Sequence, residues 1–211
     1  MVANWLTRLL IKTGISGFSV KDNVNRKVIY LTLDDGPNHK TQDLLNWMES
    51  QSILATHFWV GERIRKAEID FQNLHGQQFA VHGFSHKKYS KLSFSEIDFE
   101  LAQLKQLGLE NLNGYQSWFR PPYGSWKPGL GKKLKKEGYT ILFWSFLFTD
   151  WLESFEPNVI QKRKNEWLKK GSILVFHDKP EFHDRIKESL ILVKEICNQN
   201  DFELSCLPLP K

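Results

Sequence analysis

Short apolar runs alternate with amphipathic stretches along the chain. The runs at 28–33, 53–60, 79–81, 116–119, 140–146, 172–176 and 202–206 predict seven strands. Several of these are apolar throughout, as expected of parallel strands covered on both faces. Helices are predicted between them. The stretch 41–50 has Leu44, Leu45 and Met48 on one face. The stretch 93–107 opens with Ser93-Phe-Ser-Glu96, a capping-box pattern, and ends at Gly108. Further helices are expected at 131–137, stopped by Gly138, from Pro157 to Gly171, and at 184–198. Strands alternating with helices mean an α/β fold, and both a barrel and an open doubly wound sheet fit the pattern.

With 211 residues, the chain suits a single domain. Its 41% apolar content, with 8 Trp and 15 Phe, is enough for a large core and excludes a disordered chain. The net charge is +5, yet the densest basic run, Lys132, Lys133, Lys135 and Lys136, reads as the solvated face of a helix. No nucleic-acid partner is therefore expected. Cys197 and Cys206 have no metal-finger spacing and read as buried thiols. The first residues set Trp5, Leu6, Leu9, Leu10 and Ile11 among Arg8 and Lys12, which predicts a short amphipathic helix rather than a signal peptide. No apolar run reaches the roughly 18 residues of a membrane span. By default this predicts a cytoplasmic protein without a membrane segment.

The polar residues that follow the strands change the picture. Asp34 and Asp35 follow the first strand, and His82, then His86, the third. Arg120, Pro121, Pro122, Tyr123 and Gly124 follow the fourth, Asp150 and Trp151 the fifth, and His177 and Asp178 the sixth. Carboxyl ends of strands are where active sites of barrels and open α/β sheets lie. Side chains of adjacent residues diverge, so one of Asp34 and Asp35 can bind a metal while the other takes a proton from water. His82 and His86 can share one face of a turn and chelate one ion. With a carboxylate they form an open catalytic set rather than a closed structural one. Arg120 can hold a carboxylate, the Tyr123 amide can donate to an oxyanion, and His177 can protonate a leaving amine. His39, His57, His75 and His183 read as structural or surface residues.

In this order the blocks resemble the polysaccharide deacetylase family, also called the NodB-homology domain or carbohydrate esterase family four. The family's Thr-Phe-Asp-Asp-Gly-Pro stands here as Thr32-Leu33-Asp34-Asp35-Gly36-Pro37. Its His-Ser/Thr-x-x-His stands as His82-Gly83-Phe84-Ser85-His86, and its Arg-Pro-Pro-Tyr/Phe-Gly is complete at Arg120-Pro121-Pro122-Tyr123-Gly124. Its Asp-Trp is Asp150-Trp151, and its Leu-x-His is Val175-Phe176-His177. The resemblance covers residues 28–207 and implies a distorted (β/α) barrel of about seven parallel strands, with residues 1–27 as an extension and 28–211 as the catalytic domain. It implies one divalent ion, usually zinc, sometimes cobalt or nickel, bound by Asp35, His82 and His86. It makes Asp34 the general base, oriented by Arg120, and His177 the general acid, supported by Asp150. Tyr123 would offer its amide to the oxyanion, while Trp151 and Val175 would line the acetyl pocket. The implied reaction removes acetyl groups from N-acetylated sugars of the chitin-oligomer or peptidoglycan type, so the partner is an acetylated oligo- or polysaccharide. The rivals are an O-acetyl polysaccharide deacetylase, an amidohydrolase of a small non-sugar amide, and a carbohydrate-binding module with a vestigial site. Gly83 departs from the family where a Ser or Thr usually braces the loop between the two histidines.

Overall fold

In the computed structural model, residues 26–74 and 76–210 are described. The expected N-terminal helix and His75 lie outside them. Strand β1 (Val28–Asp34) is buried at every position, as a central parallel strand should be. It is followed by α1 (Thr41–Ser50), β2 (Thr56–Trp59), the short α2 (Gly61–Ile64), β3 (Gln78–Val81), α3 (Phe94–Lys105), β4 (Tyr115–Phe119) and α4 (Leu130–Lys136). Then come β5 (Thr140–Ile141), β6 (Phe146–Leu147), α5 (Asn158–Lys162), α6 (Lys164–Trp167), β7 (Ser172–His177), α7 (His183–Gln199) and β8 (Glu203–Ser205).

The sheet runs β5-β4-β3-β2-β1-β7-β6, and every pairing in it is parallel. β8 pairs with the first half of β1, Val28 to Tyr30, while β2 pairs with its second half, Thr32 to Asp34. The two outermost strands, β5 and β6, are consecutive in sequence. The segment between them links the two sides of the curled sheet: the Leu142 amide donates to the Phe119 carbonyl at 2.9 Å, and that of Ser145 to Ile173 at 3.0 Å. This is a curled half-barrel, closed by a chain segment rather than by a ladder.

The period-two alternation of β1 sorts its side chains. Ile29, Leu31 and Leu33 join the outer core beneath α1 and α7. Val28 and Tyr30 join Phe58, Ala80, Trp118, Leu142, Ile173 and Leu207 in a separate interior cluster. Thr32 and Asp34 continue that inner face upward, which puts polar groups inside the mouth of the barrel. A second outer core, with Leu45, Phe79, Val81, Ile97, Leu101 and Leu104, lies under α3.

Two expectations need correction. The predicted strand 140–146 is two strands of two residues each, because the chain must cross from the β4 side to the β7 side within it. The continuous path of the sheet still has the seven parallel strands expected, and β8 pairs with β1 beside it. The predicted helix from Pro157 to Gly171 breaks at Arg163, with φ −102° and ψ 15°, and ends at Trp167. There the Trp167 indole N–H donates to the Ile160 carbonyl at 3.0 Å, a group that an unbroken helix would offer to residue 164. Other readings hold. The capping box at Ser93 is formed in both directions, and Leu130 and Leu134 turn α4 inward so that Lys132, Lys135 and Lys136 face solvent while Lys133 pairs with Asp98. Both cysteines are free thiols; Cys197 is buried as expected, whereas Cys206 is only half-buried. Among the described residues, no helix is long and apolar enough to cross a membrane.

Candidate active site

Asp34 ends β1 on the barrel's inner face, and the chain turns immediately after it. Asp35 takes a positive φ of 74°, a conformation side chains rarely adopt, so the two carboxylates leave the strand in different directions. A buried network holds the turn from below. The Asp178 carboxylate accepts from Asn38 Nδ2 at 2.8 Å, Thr41 Oγ1 at 2.6 Å and His183 Nε2 at 2.7 Å. Its amide donates to the Asp34 carbonyl at 2.8 Å. His183 is thus structural, as is His57, which is fully buried against Gln77. His39 is exposed.

Arg120 directly follows β4 and is completely buried. Its Nη1 donates to Asp34 Oδ1 at 2.5 Å and to Thr32 Oγ1 at 2.9 Å. The guanidinium lies 3.9 Å from the Phe58 ring centroid, so the aromatic face covers nitrogens that find no hydrogen-bond partner. This pairing fixes the rotamer of Asp34. The same carbonyl end of β4 orients a histidine: His82 Nδ1 donates to the Arg120 carbonyl at 2.8 Å, which leaves Nε2 free to face the mouth.

His82, His86 and Asp35 converge. Asp35 Oδ1 is 2.9 Å from His86 Nε2 and 3.6 Å from His82 Nε2. One donor atom from each residue lies within 4.8 Å of the others. Burial pushes the His82 imidazole down to about 4, against the pull of Asp34 and Asp35, so it is neutral near pH 7 and has a free lone pair. Burial alone would raise the Asp35 carboxyl, but the His86 hydrogen bond and the charges of His177, His82 and His86 hold it well below the usual range. Two imidazole nitrogens and a carboxylate suit a divalent ion such as zinc, with an open position left for water.

Across the mouth stands His177, the direct ladder partner of Asp34. Asp150 grips it twice, accepting from its Nδ1 at 2.9 Å and from its amide at 2.7 Å. Burial opposes protonation, but the Asp150 hydrogen bond and charge, with Asp34 and Asp35 beyond, raise the His177 pKa above its ordinary value. Trp151 packs edge-on against the ring at 4.5 Å. Tyr123, at φ 60°, reaches over the other side, its hydroxyl 3.2 Å from His86 Nδ1.

These groups surround one cavity of about 330 Å³. Asp34, Asp35, His82, His86 and His177 form its floor and sides, and Tyr123, Trp144, Leu147 and Trp151 its apolar wall. Val175 is fully buried two residues below His177, and Leu147, its ladder partner, stands at the wall instead. Trp144, Leu147, Lys179 and the bracket around Asp178 carry no signal in a motif reading. Thr32 does, because alternation puts it on the face of Asp34.

Residues 21–142, more than half of the chain, match the family described as polysaccharide deacetylase. A peptidoglycan-N-acetylglucosamine deacetylase of Bacillus cereus is 27% identical over 79% of this chain and 64% of its own length. A chitooligosaccharide deacetylase of Azorhizobium caulinodans is 28% identical over 78% of this chain and 80% of its own. The chain thus spans less than two thirds of the first relative. Among solved structures, the Bc1960 peptidoglycan N-acetylglucosamine deacetylase superposes with a TM-score of 0.75 over 87% of both chains; at 23% identity this likeness speaks to the fold. With the family match and the converging residues together, the chain belongs to the polysaccharide deacetylase family.

Proposed function

We propose that this chain hydrolyses the acetamide of N-acetylated amino sugars, as a metal-dependent deacetylase. The observation that carries the reading is the pairing of Asp34 with His177 on adjacent strands, facing one cavity beside the Asp35, His82 and His86 cluster. A binding module needs no such pair. Asp35, His82 and His86 would hold the ion, which supplies Lewis acidity toward water and the acetyl oxygen. The remaining chemistry falls to the chain's own groups. Asp34, oriented by Arg120, accepts the proton of the attacking water. The Tyr123 amide donates to the developing oxyanion. His177, kept protonated by Asp150, hands its proton to the leaving nitrogen. The apolar wall of Trp144, Leu147 and Trp151 would receive the acetyl methyl and the sugar face. The relatives that act on peptidoglycan and chitooligosaccharide support an N-acetylated polymer as substrate. The test is acetate release from chitin oligomers, peptidoglycan and acetylated xylan, with and without a chelator. Release from the amide substrates, abolished by chelation and restored by zinc, is expected. Release from xylan alone would shift the reading to ester hydrolysis, and release indifferent to chelation would sink it.

A further inference from the structure

Gly83 stands where the family's loop-bracing hydroxyl would be, and both its backbone and its neighbours disfavour a side chain there. The φ of Gly83 is +74°, and a Cβ there would meet Pro122 Cγ and Tyr89 Cε2 at 3.1 Å. The loop between the two histidines must therefore be held from elsewhere. Two of its carbonyls are accounted for at α2: the Gly61 amide donates to Gly83 and the Glu62 amide to Phe84, both at 2.9 Å. Its amides point the other way. Phe84 and Ser85 donate to Oε2 of Glu100 at 3.1 Å and 3.0 Å. The Ser85 hydroxyl closes a tight bond to Oε1 of the same carboxylate, and the Tyr89 hydroxyl reaches Oε2 at 3.3 Å.

Glu100 is buried in α3, inside the stripe formed by Ile97, Leu101 and Leu104. A buried carboxylate is costly unless its acceptor sites are filled, and here four donors from the loop and its flank fill them. The residue after Ser85 is His86, whose own φ is +59°, so the ring is aimed by a backbone that will not hold its shape unaided. We propose that Glu100 is the positioning residue of the metal loop. With Ser85 it takes the place of the brace lost at Gly83 and aims His86 at the ion. The inference rests on the reading of Asp35, His82 and His86 as the ligand set.

Outer partners of a metal ligand are worth roughly 10–100-fold in affinity. Glu100→Leu removes both acceptor oxygens and leaves the Phe84 and Ser85 amides without their partner. On the full chain, zinc affinity by competition with a chromophoric chelator should fall by about tenfold or more. Turnover should return toward the wild-type value at saturating zinc. Ser85→Ala, which leaves the carboxylate in place, should weaken zinc by less; it carries the test if the Leu variant does not fold. A Glu100 that only supported the fold would lower the melting temperature and leave zinc affinity where it was. That result in both variants overturns the inference. If the wild-type protein itself takes up no zinc, the ligand-set reading has failed instead.

Discussion

Replacing Asp150 by Asn tests the acid half of the proposed mechanism. The Asp150 carboxylate is buried and contacts His177 through Nδ1 at 2.9 Å and through the backbone amide at 2.7 Å. Asn keeps the shape and one acceptor but loses the charge that favours the imidazolium. A hydrogen bond to a charged group is worth about 1.5–3 kcal/mol, and one pKa unit corresponds to about 1.36 kcal/mol. Since Asn still accepts one of the two bonds, the lower end applies, and the pKa of His177 should fall by roughly 1 unit. The sign follows from its role. His177 acts protonated, so activity is lost as pH rises through its pKa, and a lower pKa brings that loss to lower pH. Initial rates of acetate release from an acetylated chitin oligomer, measured across pH at saturating zinc, should therefore show the alkaline limb displaced downward by about 1 unit while the acidic limb stays. Zinc affinity should be unchanged, because Asp150 bonds to His177 and Arg185 and not to a proposed ligand. A folded Asp150→Asn enzyme whose alkaline limb does not move, or moves up, refutes the assignment of His177 as the acid.

Further outcomes follow from the same geometry. Asp34→Asn should cut turnover by roughly two orders of magnitude or more while keeping zinc, as elemental analysis would show; loss of zinc instead would exchange the roles of Asp34 and Asp35. Arg120→Met leaves Asp34 without its cationic partner and should destabilise the fold by about 3–5 kcal/mol in urea titration, with an unchanged midpoint arguing against the buried pair. Trp118→Ala empties the centre of the barrel's interior cluster and should cost about 3–5 kcal/mol by the same measurement; a loss under about 1 kcal/mol would mean the interior collapses to fill the gap.

The sequence was most legible where one residue type does one job at a strand end. Asp34, Asp35, His82, Arg120 and His177 all stand where alternation and the strand boundaries put them. The helix caps at Ser93 and Gly138 were equally local, and so were readable. What escaped the reading depends on tertiary contact. The break at Arg163 is invisible because Ile160 and Trp167, seven residues apart, also share a face of an unbroken helix. The split between β5 and β6 answers to the circumference of the barrel, not to any residue within it. Glu100 did leave a trace: a charged residue in line with Ile97, Leu101 and Leu104 interrupts an apolar stripe. A carboxylate there needs buried donors, and a local pattern does not say which ones.

The position of β1 also sets the order in which the molecule can be completed. Its neighbours come from segments distant in the chain, β2 from 56–59, β7 from 172–177 and β8 from 203–205. Pairing over such separations raises contact order and slows folding. During synthesis at about 5–20 residues per second, an apolar strand made early waits roughly seven to thirty seconds for its β7 partner to be made. Until then its open edge is a site for wrong pairing. Asp34 and His177 meet only when that edge closes, so activity reports the finished sheet, whereas helix content can recover long before it.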